Sequence, residues 1–374
     1  MSENNSNDSL PADPQVTQYY DQIDEIDRQL FALINKRAAM SKDIAELLRH
    51  QAGDEPVRVF QPERDADVLR QATESANAAD SLVGGDSIQR IYREILSACA
   101  AFEEPLQVAY LGPEGTYSHT AADRYFGHTV ATMPQSSIAE IFLAVETGRA
   151  KFGVVPVENS TEGAVNQTLD LLTQTTLRVC GEVKMRIQHS LLSNAAALAG
   201  VAEVHAHPQA LAQCAQWLTK HLPQAARISE SSNAAAAKLA IERTDIAAIA
   251  GEAAAQLYGL TTLSKGIEDE KNNTTRFLVI GNEQIPPSGE DSSLLLISAP
   301  HRPGGLRSML GPLEDAGVSM TRIESRPSRS ALWEYVFFVN VDGHEHDGHL
   351  SKVLSELREF APLVKVLGSY PRAL

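Results

Sequence analysis

The stretch Gly153–Asn166, GVVPVENSTEGAVN, sets an acid, an amide and two hydroxyls among glycines directly after a short apolar run. Phe152, Val154, Val155 and Val157 read as a buried strand. Glu158, Asn159, Ser160, Thr161 and Gly163 then fall at its carboxyl end, where open α/β sheets bind small molecules. Side chains of these types donate and accept hydrogen bonds, and glycine at 163 lets backbone approach a ligand. A second polar cluster, Asn272, Asn273, Thr274, Thr275 and Arg276, leads into the apolar strand Phe277–Ile280. The two clusters together predict one composite site. Each has a plainer reading as well: Ser160 and Thr161 as caps of a helix starting near Gly163, Thr275 and Arg276 as a polar strand entry.

The elements that must carry these clusters change character along the chain. At 374 residues it is too long for one ordinary core and predicts two or three domains. Residues 1–15, rich in Asn, Ser, Asp and Pro, read as a disordered tail. From Val16 the apolar positions Ile23, Ile26, Leu30, Leu33, Met40, Ile44 and Leu47 recur by threes and fours, the pattern of a long helix with a buried seam that also carries Arg37. Gly53–Pro56 breaks it, and shorter helices follow Pro62 and Asp86. Such a long seam with two short companions predicts dimerisation through interlocked helices. From Pro105 short strands alternate with alanine-rich helices, an α/β pattern with strands at 106–111, 154–157, 247–250 and 277–280. A linker at 283–291 leads to a strand–helix–strand–strand–helix–strand order: strands 293–299, 318–324, 332–341 and 364–370, helices 304–316 and 349–359, a ferredoxin-like βαββαβ arrangement.

The net charge of −16 argues against nucleic-acid and anionic-membrane partners, which demand a basic surface. No apolar run is long enough to span a bilayer and the first residues lack a signal pattern, so the expected compartment is the cytoplasm. Cys99, Cys180 and Cys214 are odd in number and far apart, which predicts buried thiols rather than disulfides or a metal site. The run Asp342–His349 is read as a solvated loop rather than a metal centre.

Gly112–Ser118 (GPEGTYS), Pro156–Gly163 (PVENSTEG), His207–Leu211 (HPQAL) and Thr275–Phe277 (TRF), in this order after a helical segment, make the chain resemble the bifunctional chorismate mutase/prephenate dehydratase family. The resemblance covers nearly everything after the tail. It implies a multidomain protein: an all-α mutase-like domain at 16–104, a dehydratase domain at 105–282 with two α/β lobes around a cleft in the manner of periplasmic binding proteins, and a regulatory ACT domain at 292–374. The implied dehydratase chemistry is loss of water and carbon dioxide from prephenate to give phenylpyruvate, with no metal or organic cofactor. Thr275 would assist the departing hydroxyl and Arg276 would fork onto a carboxylate. Asn159, Ser160 and Thr161 would complete the catalytic set, with Thr116, Ser118, Glu158 and Gly163 contacting substrate. His207 is ranked as a cap of the helix after Pro208 and Ser232 as another helix start.

In the helical segment the resemblance places Arg37, Glu63 and Glu103 in a mutase site. The family's pattern calls for an arginine and a lysine where this chain has Tyr20 and Leu48. Leu48 lies eleven residues after Arg37, about three turns, and so on the same face, where it supplies no charge. Arg49, Arg58 and Arg64 are the neighbouring cations. The expectation is a weakened or inactive mutase that still dimerises the chain. In the last segment Gly304, Gly305 and Leu306 stand where the family usually has Gly-Ala-Leu, and Glu324, Ser325, Arg326 and Pro327 match its second phenylalanine-binding motif. This implies L-phenylalanine as a feedback effector. A preference for arogenate over prephenate, and a non-enzymatic carboxylate sensor, are the competing readings.

Overall fold

The computed structural model describes residues 13–52, 58, 60–78, 81–101, 106–299, 302–327 and 335–373. It opens with three helices, α1 (Pro14–Ala52), α2 (Pro62–Ala76) and α3 (Gly85–Ala100). α1 starts two residues before the expected Val16 because Asp13 accepts from the Gln15 amide (2.9 Å) and Pro14 is pre-set for a first helical turn. α1 packs chiefly on α3. Its seam residues Ile23, Ile26, Leu30, Leu33, Met40, Ile44 and Leu47 remain 46–63% exposed. The Gly53–Pro56 break lies outside the described residues.

The middle segment has two sheets. The first uses β1 (Gln107–Leu111), β2 (Ala131–Gln135), β3 (Phe152–Asn159), β4 (Gly163–Ala164), β5 (Arg178–Arg186) and, from far downstream, β11 (Thr274–Gly281). Its order is β2-β1-β3-β11-β5, with β4 on β3; β1 to β3 run parallel and β11 is antiparallel to both neighbours. Helices α4 (Tyr117–Phe126), α5 (Ile138–Glu146) and α6 (Asn166–Gln174) cover it. The second sheet, order β10-β6-β9-β7-β8, is built from β6 (Ser190–Ser193), β7 (Glu203–Ala206), β8 (Ala226–Ser229), β9 (Ile246–Ala250) and β10 (Thr261–Lys265). Helices α7 (Pro208–Gln213), α8 (Ala215–His221), α9 (Asn233–Leu239) and α10 (Glu252–Tyr258) accompany it. The chain crosses between the sheets twice, at 187–189 and 266–273, which makes two lobes joined by two segments.

The last segment has β12 (Asp291–Ser298), α11 (Gly305–Asp315), β13 (Met320–Pro327), β14 (Tyr335–Asp342), α12 (Gly348–Phe360) and β15 (Leu363–Pro371), in the predicted βαββαβ order with an antiparallel sheet β13-β14-β12-β15. One face packs on its own two helices; the other shares a core with the first lobe, where Leu294, Leu296, Phe338 and Tyr370 meet Leu278, Ile280 and Val179. The expected solvated loop after β14 is solvated only at its far end, where residues 346–349 are exposed: His344 is fully buried and its Nε2 lies 2.8 Å from the Ile285 carbonyl, while Glu345 pairs with Arg178 of β5. All three cysteines are buried and free, and burial pushes the Cys180 thiol up to about 12. Among the described residues no helix is long and apolar enough to cross a membrane.

The contact between β15 and β5 demands a glycine. A Cβ on Gly368 would stand 2.1 Å from the Val179 carbonyl oxygen, and backbone does not yield as a flexible side chain does. Gly368→Ala is expected to destabilise the protein by about 1–3 kcal/mol, as overpacking does, read from urea denaturation; an unchanged midpoint would show that the two sheets separate freely.

Candidate active site

The two polar clusters meet because β3 and β11 pair antiparallel. Asn159 stands directly opposite Thr275 at the ends of the two strands. The loop beyond Asn159 is tied back to β11: the Ser160 amide donates to the Thr274 carbonyl and the Thr274 amide donates to Ser160 Oγ, both 2.9 Å. Residues 163–164 form the short strand β4 and the helix expected near Gly163 begins at Asn166 with Val165 at its N-cap, so Ser160 and Thr161 are not caps. Gly163 has φ 84°, a conformation that favours glycine.

The orientation of Asn159 is fixed by its partners. Its Oδ1 accepts from the amides of Thr161 (3.0 Å) and Glu162 (3.1 Å). Its Nδ2 must then face the other way, and it donates to Asn273 Oδ1 (2.7 Å) and Thr275 Oγ1 (2.8 Å). Thr275 therefore accepts, and among the described residues no acceptor takes its own proton.

The network continues into the second lobe. Asn273 Nδ2 donates to Gln213 Oε1 (3.2 Å), which also lies 2.9 Å from His189 Nε2. An acceptor there requires the proton on His189 Nε2, and Nδ1 lies 2.9 Å from the Tyr117 hydroxyl, which donates to the Gln188 carbonyl at 2.7 Å. Burial holds the His189 imidazole below its ordinary pKa, consistent with this neutral form. Gln213 Nε2 is buried and finds no hydrogen-bond partner among the described residues, an orphan donor of the kind a ligand oxygen satisfies. Beside this chain an interlobe cavity of about 450 Å³ is lined by Tyr117, Met185, Arg186, Gln188 and Lys265 among others. Met185 is the cross-strand partner of Thr275, and Arg186 that of Thr274.

Two expected site residues lie elsewhere. Arg276 is buried on the opposite face of β11 from Thr275 and does not reach the cleft. Its Nε donates to Glu182 Oε2 (2.8 Å) and its Nη2 to Asn340 Oδ1 (3.0 Å) and the Tyr370 hydroxyl (3.2 Å) of the C-terminal sheet. Burial opposes its charge, but Tyr370 and Glu182 hold it firmly protonated; burial likewise works against the Glu182 carboxylate, and Arg276 with Lys184 keeps its pKa below the ordinary value. The carboxylate fork expected of Arg276 is thus spent inside the protein. Glu158 pairs with Arg322 of β13. Thr116 caps α4, accepting from the His119 amide (3.3 Å) and donating to the Leu111 carbonyl (2.9 Å); Ser118 is buried in its first turn. His207 and Ser232 are the caps expected of them.

Asn273 belongs to the second polar cluster named from the sequence, whereas Gln213, His189 and Tyr117 are not among the sequence candidates. Tyr117 sat inside a quoted motif, and Gln213 follows Gln209 by one helical turn; His189, in a crossover segment, carried no signal. In the helical segment Glu63 is engaged by Arg58, one of its two hydrogen bonds being 2.8 Å, which removes Arg58 as a free cation. Arg37 is half-buried on α1, and Glu103 lies outside the described residues. In the C-terminal segment Gly304 (φ 81°) precedes α11 and Gly305 opens it, while Leu306 is exposed.

Family models match three consecutive segments: chorismate mutase type II at 19–104, prephenate dehydratase at 108–285 and the ACT domain at 293–359. A bifunctional chorismate mutase/prephenate dehydratase of Neisseria gonorrhoeae is 47% identical over 355 residues, covering 94% of this chain and 96% of its own. The structure of prephenate dehydratase from Arthrobacter aurescens in complex with L-Phe is 32% identical, with TM-score 0.66 over 72% of this chain and 90% of its own. A structure described as a quorum quenching acylase, GqqA, is 33% identical with TM-score 0.66, over 71% and 98%. The placement of Arg276 gives a direct test of its role. Arg276→Met would strand a buried Glu182, so a loss of about 3–5 kcal/mol in chemical denaturation is expected; a stability equal to the parent's would contradict the buried pair.

Proposed function

The chain belongs to the family of bifunctional chorismate mutase/prephenate dehydratases, and we propose that Thr275 is the proton donor of its dehydratase reaction. The single observation that carries this reading is the fixed Asn159 amide, which donates to Thr275 Oγ1 and so leaves the hydroxyl proton for an acceptor other than Asn159. As the ring carboxylate of prephenate leaves as carbon dioxide, the electron pair of the broken carbon–carbon bond aromatises the ring and expels the ring hydroxyl. With a proton from Thr275 that group departs as water, and solvent restores the threonine.

The other roles follow from placement. Gln213 Nε2, the buried orphan donor, takes a substrate oxygen. Arg186, opposite Thr274 and half-exposed on the interlobe cavity, takes over the carboxylate contact that Arg276 does not make. Ser160, Thr161 and Gly163 form the loop that closes over the reacting ring. Prephenate rather than arogenate is the proposed substrate, in the cytoplasm, where the buried thiols stay reduced.

Thr275→Ala is expected to lower prephenate turnover by about 10²–10⁴ with substrate affinity nearly kept. Turnover within a few-fold of the parent would remove Thr275 from the mechanism, whereas a pure sensor would lose affinity alone.

The helical domain serves the dehydratase as a dimerisation element. The uncovered apolar seam of α1 is the surface a second copy would bury, and the proposed state is a homodimer or higher homo-oligomer. Its mutase site is weakened: Tyr20 and Leu48 add no charge, and Arg58 is committed to Glu63. Chorismate consumption by the purified protein is expected to stay near the spontaneous rate while prephenate is converted normally; fast conversion of chorismate to phenylpyruvate would show that other cations complete the site. L-Phenylalanine is the proposed effector, bound between the start of α11 at Gly304, Gly305 and Leu306 and the end of β13 at Glu324–Pro327.

A further inference from the structure

The strand that carries the second effector motif also grips the loop that carries Asn159. Arg322 and Arg326 lie four residues apart on β13, on one face of an extended strand. Arg322 forms an ion pair with Glu158, the residue immediately before Asn159. Arg326 reaches past the far end of the same loop: its Nη1 donates to Asn166 Oδ1, and its Nη2 donates to Asp170 Oδ1 at 2.5 Å. Asn166 is the first residue and Asp170 the fifth of α6, the helix that follows the loop. Both ends of residues 159–165 are therefore held by one strand of the ACT domain. The arginine at the far end belongs to the segment that the effector reading assigns to L-phenylalanine.

We infer that Arg322 and Arg326 form a clamp that holds the catalytic loop in its working geometry, and that effector binding at Glu324–Pro327 inhibits the dehydratase by releasing it. The inference rests on the effector reading given above and adds the route of coupling. Ligand at Glu324–Pro327 engages the four-residue segment that includes Arg326, and each departure of Arg326 from Asp170 and Asn166 frees the start of α6. Asn159 then loses the fixed loop amides of Thr161 and Glu162 that orient it toward Thr275. Coupling between two sites is reciprocal: if L-phenylalanine works against the clamp, breaking the clamp by mutation must strengthen L-phenylalanine binding.

The test uses the full-length protein and the substitution Asp170→Asn, which weakens the clamp from the dehydratase side without touching the effector segment. L-Phenylalanine binding is measured by calorimetry and prephenate turnover is followed with and without it. The expected result is an uninhibited kcat about fivefold or more below the parent's, a shallower further inhibition, and L-phenylalanine affinity raised by a similar factor; Asp170→Glu, which keeps the carboxylate, should restore much of the parent's behaviour. A merely destabilising change would lower activity without tightening the effector. Affinity and depth of inhibition unchanged in Asp170→Asn would overturn the clamp. If the parent itself binds no L-phenylalanine, the effector reading falls and the clamp is judged on basal turnover: kcat within about twofold of the parent in an Arg322→Ala, Asp170→Asn double variant would overturn it as well.

Discussion

The antiparallel pairing of β3 with β11 is the constraint on which the rest of the dehydratase depends. Residues 159 and 275 are 116 positions apart in the chain, and only the insertion of a late strand between two early ones brings the amide and the hydroxyl within 2.8 Å. The intervening residues 187–273 build the second lobe and its two crossovers. A sheet that closes in this way also places both crossovers beside the site, so His189 from one and Asn273 from the other meet at Gln213. Relative motion of the lobes would have to stretch this chain of side chains, which links lobe geometry to the orientation of the Thr275 hydroxyl.

The same strand decides what the two members of the Thr–Arg pair can do. Consecutive residues in a strand point to opposite faces. With Thr275 toward the cleft, Arg276 must face the C-terminal sheet, and there it finds Glu182, Asn340 and Tyr370 instead of a substrate carboxylate. A buried guanidinium is tolerable only when its donors are satisfied, and these partners supply oxygen acceptors around it. Adjacent residues thus divide two tasks, the proposed proton donation on one side and attachment of the ACT domain on the other. The shared core of Leu278, Ile280, Phe338 and Tyr370 surrounds that attachment with apolar surface.

Much of this was legible in the sequence for a physical reason: strand periodicity and helix spacing are local. The βαββαβ order, the α1 seam and the strand under Val154–Val157 follow from patterns within a window of a dozen residues. Arg276 is different: its residue type points to a substrate carboxylate, but the alternation of the strand sends residue 276 away from residue 275. Gln213 and His189 were missed for the opposite reason. Their roles come from contacts across 60 positions for Gln213 with Asn273 and 72 for His189 with Tyr117, and neither an amide on a short helix nor a histidine in a crossover carries a local pattern. Ser160 and Thr161 had the chemistry of caps, but the strand pairing with Thr274 had already taken the backbone that a helix start would have needed.

The helical domain shows the limit of what one copy of the chain can satisfy. An α1 of 39 residues leaves its apolar seam in solvent, and apolar surface on that scale is not held open at no cost in water. Burying it against a second copy would keep those apolar positions under constraint whether or not the charged positions of the mutase site remain under one. Ile23 and Leu47 can therefore remain what the seam requires while Tyr20 and Leu48 depart from the mutase pattern. The two sets of positions interleave on a single helix and answer to different physics, packing for one and anion binding for the other. The dimerisation proposed for this domain and rearrangement chemistry within it would be separable properties of the same sequence.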